Sequence, residues 1–255
     1  MSTTSRFDDR VADYVKYRPS YPDEAIDFVV RALELAQGSV VADVGAGTGI
    51  SSALLLARGL VVEAVEPNAA MRAAAVAMLG EVGSFRAHAG TAEATGLAEA
   101  SVDAIVAAQA FHWFAPEAAR AEARRILRPS ARPAQAALIW NARRESGTAF
   151  LEGYEELLLT QAVDYAQVRH QNVAASDATT RYFGRAPRRW STTHEQRFDW
   201  DGLRGRAASS SYVPAVGHPR HDAFYAALRA LFDRTAESGT VAFVYDVEVL
   251  YERVD

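Results

Sequence analysis

The sequence predicts an α/β protein built on a doubly wound, mostly parallel seven-stranded sheet, with an antiparallel C-terminal strand and a helical cap. Three observations carry this. Apolar runs alternate with helix-patterned stretches five times before residue 141, and that alternation implies right-handed crossovers between parallel strands. The run over 102–108 is almost continuously apolar, as expected of a strand buried on both faces. The chain closes on an alternating stretch, with Val241, Phe243, Tyr245, Val247, Val249 and Tyr251 on one side, the period of a strand.

The elements follow in order. Tyr21-Pro22-Asp23 opens a helix with Asp23 as its N-cap, Ile26, Val29, Val30 and Leu33 at helical spacing, and Gly38 as its end. Strand 1 covers 40–44 and its helix runs to about residue 58. Strand 2 covers 61–65, and Pro67-Asn68 opens a helix over 69–79. Strands follow at 84–89, 102–108 and 134–140, with a helix from Pro116 to Arg128 between the last two. Residues 148–168 read as helix, 188–200 as strand-like, 223–236 as helix, and 241–254 as the last strand. One domain is expected over 1–255. Residues 1–36 form an N-terminal lid and helix, 37–141 a ligand-binding core, 142–240 the cap segments and strand 6, and 241–255 the last strand.

Composition narrows the function classes. The 255 residues are 49% hydrophobic and 23% charged, which supplies a full core and argues against disorder. A net charge of −5 gives no general attraction to nucleic acid or to an anionic membrane. The absence of cysteine excludes disulfides and thiolate metal sites. His218 and His221 flank Pro219-Arg220 without an evident third ligand, so no metal is expected. The polar start with Asp8 and Asp9 is unlike a secretory signal, and no apolar run approaches the roughly 20 residues of a membrane span. A soluble, cytoplasmic protein is the expectation; the oligomeric state is not legible. Lys16 is the single lysine among 27 basic residues.

The chemistry concentrates at Asp43-Val44-Gly45-Ala46-Gly47-Thr48-Gly49. Glycines at alternate positions let the main chain bend sharply and approach a ligand closely. Glu66 ends the next apolar run, 21 residues after Gly45, where nucleoside-binding α/β folds place the acid that takes ribose hydroxyls. The dinucleotide fingerprint G-x-G-x-x-G would need glycine at position 50, which is Ile50.

This loop resembles the motif of class I S-adenosylmethionine-dependent methyltransferases, a Rossmann-like family. Glu66-Pro67-Asn68 with Met71 looks like its acid-plus-helix segment. Gly90-Thr91-Ala92-Glu93 resembles its adenine-side loop, and 123–129 the helix before its fifth strand. Within the family the likeness is to the small-molecule branch of ubiquinone/menaquinone- and trans-aconitate-type enzymes. The likeness rests on Tyr14 to Pro22, Phe111-His112-Trp113-Phe114, Ile139-Trp140-Asn141 and Ser209 to Pro214. There are two departures. Thr91 stands where the family often carries an acid for the adenine amine, and 129–135 lacks the usual Pro-Gly-Gly.

The resemblance implies S-adenosylmethionine as cofactor and S-adenosylhomocysteine as product. Its binding set would be Asp43, Gly45, Ala46, Gly47, Gly49, Glu66, Pro67, Met71, Thr91, Ala92, Glu93 and Gln109, with Tyr14 and Arg18 as a lid. Asp43 either braces the loop or receives the cofactor's ammonium group. His112, beyond strand 4, is either a base for a hydroxyl or amine acceptor or a packing residue. Trp113, Trp140, Arg143, Ser211 and Tyr212 are the substrate-side candidates. Arg143 is either a fork for an acidic substrate or a solvated arginine.

Methyl transfer to a small molecule is thus the expected function. Two alternatives stay open. One is RNA methylation through seven arginines at 181, 185, 188, 189, 197, 204 and 206. The other is a catalytically silent cofactor-binding regulator.

Overall fold

The computed structural model describes residues 20–165 and 177–254. Seven strands form one sheet in the order β3-β2-β1-β4-β5-β7-β6. They are β1 (Val40–Val44), β2 (Val61–Val65), β3 (Phe85–His88), β4 (Ala104–Ala108), β5 (Ala136–Arg143), β6 (Arg188–Phe198) and β7 (Val241–Glu252). The pairs β1–β2, β1–β4, β2–β3 and β4–β5 are parallel. Strand β7 runs against β5: Gln135 N donates to Glu252 O, and Arg144 N to Val244 O, so one number rises as the other falls. Eight helices accompany them among the described residues. They are α1 (Asp23–Ala32), α2 (Ile50–Leu56), α3 (Ala69–Leu79), α4 (Pro116–Ile126), α5 (Ala149–Gln161), α6 (Asp177–Phe183), α7 (Trp200–Ala208) and α8 (His221–Thr235). No helix among the described residues is long and apolar enough to cross a membrane.

The chain divides into two units. The larger takes in Ser20–Asn141 with 177–192 and 247–254. Its sheet is buried on both faces. Ile26, Leu55 and Leu79 pack against Val41, Val106 and Ile139 on one face. Ala123, Ile126 and Tyr182 pack against Ala42, Ile105 and Leu138 on the other. All five residues of β4 are buried, which is why its sequence reads as a continuous apolar run rather than an alternating one. At the amino end of this sheet Asp103 accepts from Val40 N at 2.8 Å and pairs with Arg128 and Arg132. The smaller unit takes in 142–165 and 193–246. It packs α5, α7 and α8 around Phe150, Leu158, Leu203, Phe224, Leu228 and Phe243.

Helix α1 departs from its expected ends. Its N-cap is Pro22, with Asp23 the first helical residue. It stops at Ala32, well before Gly38, because Glu34 adopts φ +51°. Glu34 N then donates to Arg31 O, and Leu35 N to Val30 O, the paired bonds of a Schellman stop. Helix α5 ends at Gln161 rather than continuing to 168.

Candidate functional site

The carboxyl ends of β1 and β2 lie in register, Val44 opposite Val65, so the turns that leave them are neighbours. Gly45, Gly47 and Gly49 have φ of +74°, +58° and +87°, a left-handed backbone that costs other residues roughly 1–2 kcal/mol each. The three glycines answer different needs. A Cβ on Gly45 would fall 2.4 Å from Ala110 Cβ, and one on Gly49 would fall 2.9 Å from Leu79 Cδ1; both are pressed against the protein. A Cβ on Gly47 would meet only Met71 Sδ, at 4.0 Å. The open side of the turn is therefore at Gly47. The turn is pinned to β2 by Gly45 N and Ala46 N, which both donate to Val65 O.

Glu66 closes this turn. One carboxylate oxygen accepts from Gly47 N at 2.9 Å and the other from Asn68 N at 2.8 Å. A carboxylate offers about four acceptor positions, so two remain for a ligand's hydroxyls. Burial raises the Glu66 pKa, against the two backbone N–H groups and Arg72, which favour the charged form. Pro67 is exposed and Met71 buried. Asn68 caps α3 by accepting from Met71 N, which fixes the helix start beside Glu66.

Asp43 is wholly buried. Its Oδ2 accepts from Ser51 Oγ at 2.6 Å and Ser52 Oγ at 2.7 Å, while Oδ1 has no hydrogen-bond partner among the described residues. Burial, opposed by the two hydroxyls, pushes its pKa up to about 6. Asp43 thus ties β1 to the first turn of α2. Ser51 and Ser52 were not singled out in the sequence, although hydroxyls directly after a glycine turn signal such a brace.

The loops after β3 and β4 supply the other expected residues. Thr91 and Ala94 exchange backbone hydrogen bonds, leaving Thr91 exposed and Ala92 buried. Glu93 accepts from Ala115 N at 2.8 Å, tying this loop to the residue that starts α4. Gln109 has φ +54°, a left-handed conformation uncommon in a non-glycine residue. It is held there by Gln109 N to Ile139 O and by Gln109 Nε2 to Asn141 O at 2.8 Å. His112 follows on a 3₁₀ turn, Phe111–Trp113, with its ring 4.8 Å from that of Trp113. Trp113 is 53% exposed. At the end of β5, Trp140 Nε1 and Asn141 Oδ1 are buried without a hydrogen-bond partner among the described residues. Such orphans suit a site whose remaining partners come from a ligand. Asn141 and Asn68 are the further polar residues that sequence reasoning passed over as site members.

Tyr14 and Arg18 lie outside the described residues. Arg143, Ser211 and Tyr212 belong to the smaller unit. Arg143 is neither solvated nor open as a fork. Its Nη2 donates to Glu155 at 2.5 Å and to Tyr165 Oη at 3.0 Å, and the guanidinium lies over the Tyr154 ring. Ser211 and Tyr212 are half-buried, and the Tyr212 ring packs 4.9 Å from that of Tyr165. Among the described residues no group of three His, Asp or Glu is placed to hold a metal.

Residues 42–132, which span the glycine turn through the loop after α4, match the methyltransferase domain family. Over 139 residues the chain is 42% identical to an uncharacterized methyltransferase of Mycobacterium tuberculosis, 54% of this chain and 53% of that one. It is 32% identical over 139 residues to an uncharacterized methyltransferase-like protein of Schizosaccharomyces pombe, 53% of this chain and 51% of that one. The chain thus spans about half the length of the curated relatives it matches. A provisionally assigned type II methyltransferase from Anaeromyxobacter dehalogenans shares the fold over 93% of this chain and 98% of its own, at TM-score 0.67 and 25% identity. Residues 42–132 are thus similar to the methyltransferase domain family, and the chain has the Rossmann-like fold that it shares with the Anaeromyxobacter protein.

Proposed function

We propose that this chain transfers a methyl group from S-adenosylmethionine to a small-molecule acceptor by in-line displacement, releasing S-adenosylhomocysteine. The observation that carries the reading is the Glu66 carboxylate, buried at the end of β2 and held by Gly47 N and Asn68 N with acceptor positions to spare. The donor set fits a nucleoside: a pre-oriented carboxylate for two ribose hydroxyls, and a glycine turn open at Gly47. When bound, the cofactor's sulfonium supplies an activated methyl carbon with a neutral thioether as leaving group.

The residues of the chain then have mainly positioning to do. Glu66 holds the ribose. Gly47 lets the backbone approach the ligand. Asp43 acts through Ser51 and Ser52, keeping the turn and the start of α2 in one geometry. Gln109 and Asn141 lock the ends of β4 and β5 together. His112 takes the acceptor's proton where the acceptor is a hydroxyl or an amine; a carboxylate acceptor needs no base.

The RNA alternative loses its main support. Arg181, Arg188, Arg189, Arg197 and Arg204 each pair with a carboxylate, so the arginine-rich stretch is largely neutralised in place.

Calorimetric titration with S-adenosylhomocysteine tests the reading. The parent protein binds, and Glu66→Ala weakens binding by at least about tenfold, the cost of losing charge-assisted hydrogen bonds. An absence of heat from the parent at high micromolar ligand sinks the proposal, and unchanged affinity in the variant removes Glu66 from the site.

A further inference from the structure

Of the arginines between 181 and 206, Arg206 stands apart. It lies on α7 in the buried stripe with Leu203 and Ala207 and is only 6% exposed. Among the described residues it has no carboxylate partner. Its contacts are neutral and long for a charged donor: Ser210 Oγ at 3.1 Å, Ser209 Oγ at 3.4 Å and Tyr245 Oη at 3.4 Å. Charge-assisted bonds ordinarily close to about 2.7–2.9 Å. The Phe243 ring lies 5.8 Å away. Its Nη2 makes no hydrogen bond to any described residue. A guanidinium taken out of water without a counter-ion costs several kcal/mol, so this one is either an expensive accident or half of a pair.

The surroundings say which charge is missing. Tyr245, Tyr212 and Tyr154 are its electrostatic neighbours, and Tyr154 and Tyr212 also neighbour Arg143. Arg143 is cancelled by Glu155. The cluster therefore carries one uncompensated positive charge, ringed by hydroxyls. A monoanion neutralises it, whereas a phosphate dianion would leave a buried negative charge. The planar fork of a guanidinium matches a carboxylate through two parallel hydrogen bonds.

We propose that Arg206 anchors the carboxylate group of a small organic acid, with Ser210, Tyr212 and Tyr245 completing a site within the smaller unit. The remaining body of that acid is met by the aromatic rings of the smaller unit. This site is argued within the smaller unit and stands apart from the methyltransferase reading. It also moves the acid-binding role from Arg143, which is already paired, to Arg206.

The test compares three acids, benzoate, octanoate and glutarate, each with its amide, by saturation-transfer NMR at millimolar concentration. At least one acid should bind the parent about tenfold or more tightly than its amide, as a two-pronged ionic contact requires. That preference should collapse in both Arg206→Met and Arg206→Lys, the second keeping the charge but losing the fork. Without ligand, the Tm of Arg206→Met should stay level or rise, as expected when a buried unpaired charge is removed. S-adenosylhomocysteine affinity should be unchanged in both variants. Three results overturn the inference: no acid preferred over its amide, the preference surviving in either variant, or Arg206→Met unfolding or losing more than about 5 °C in Tm. Failure of the parent to bind S-adenosylhomocysteine instead overturns the methyltransferase reading alone, since the acid preference is measured without the cofactor.

Discussion

The glycine turn of the larger unit and the arginine cluster of the smaller one both bury charge, and they treat it differently. Both oxygens of Glu66 are answered by Gly47 and Asn68, and one oxygen of Asp43 by Ser51 and Ser52, through short bonds. All four lie within 19 residues of the acid they serve. In the smaller unit Arg143 is answered by Glu155 and Tyr165, whereas Arg206 meets only long contacts to serine and to Tyr245, 39 residues away. Arg143, paired within its own unit, is part of the scaffold, whereas Glu66 is held by two backbone donors and keeps acceptor positions for a ligand. A charge that the protein has buried and left half-served points to something that arrives later.

The sharpest way to break this contrast is to remove each arginine in turn. Arg143→Met takes the cation from the Glu155 carboxylate, which keeps Tyr165 Oη, and should cost about 3–5 kcal/mol of unfolding free energy in urea, the usual penalty for halving a buried pair. Equal losses for Arg143→Met and Arg206→Met would erase the distinction. Next in size is the turn. Gly45→Ala adds a Cβ 2.4 Å from Ala110 Cβ at φ +74°, and should cost about 3 kcal/mol or more from backbone strain and overpacking together.

The pH dependence of Asp43 comes next. Its folded pKa, about 6, lies above the unfolded 3.8, so the folded chain holds the extra proton between those values. The stabilisation that proton gives is full below about pH 4 and is lost as pH rises through 6. Urea unfolding of Asp43→Asn against the parent should therefore shift in the variant's favour by up to about 3 kcal/mol between pH 4 and pH 7. Asp103 and Glu122, whose pKa values are lowered, act in the opposite direction but are common to both proteins and cancel. The smallest effect on stability belongs to Gly47→Ala, about 1 kcal/mol of backbone strain. It should nonetheless weaken S-adenosylhomocysteine binding measurably, because its methyl group enters the open side of the turn.

Local grammar accounts for what was legible in the sequence. β1, β2 and α3 fall on the expected residues, because their ends are set by neighbours: Asp43 before the glycines, Glu66 before Pro67, Asn68 capping Met71. The end of α1 was misread since its stop is made by a left-handed Glu34, a conformation that glycine usually signals. Helices α6 and α7 were not anticipated, and α7 hides its helical stripe by placing Arg206 where an apolar residue would stand. The pairing of Arg143 was equally illegible, because it depends on a Glu155 and a Tyr165 that only tertiary packing brings to it.

The central claim is that Glu66 and the turn at Gly47 form a nucleoside cradle. A crystal structure with S-adenosylhomocysteine bound tests it most directly. The account predicts both ribose hydroxyls within hydrogen-bond distance, ~3 Å, of the Glu66 carboxylate, with the ligand running past Gly47. Adenosine bound elsewhere, or ribose turned away from Glu66, would contradict it.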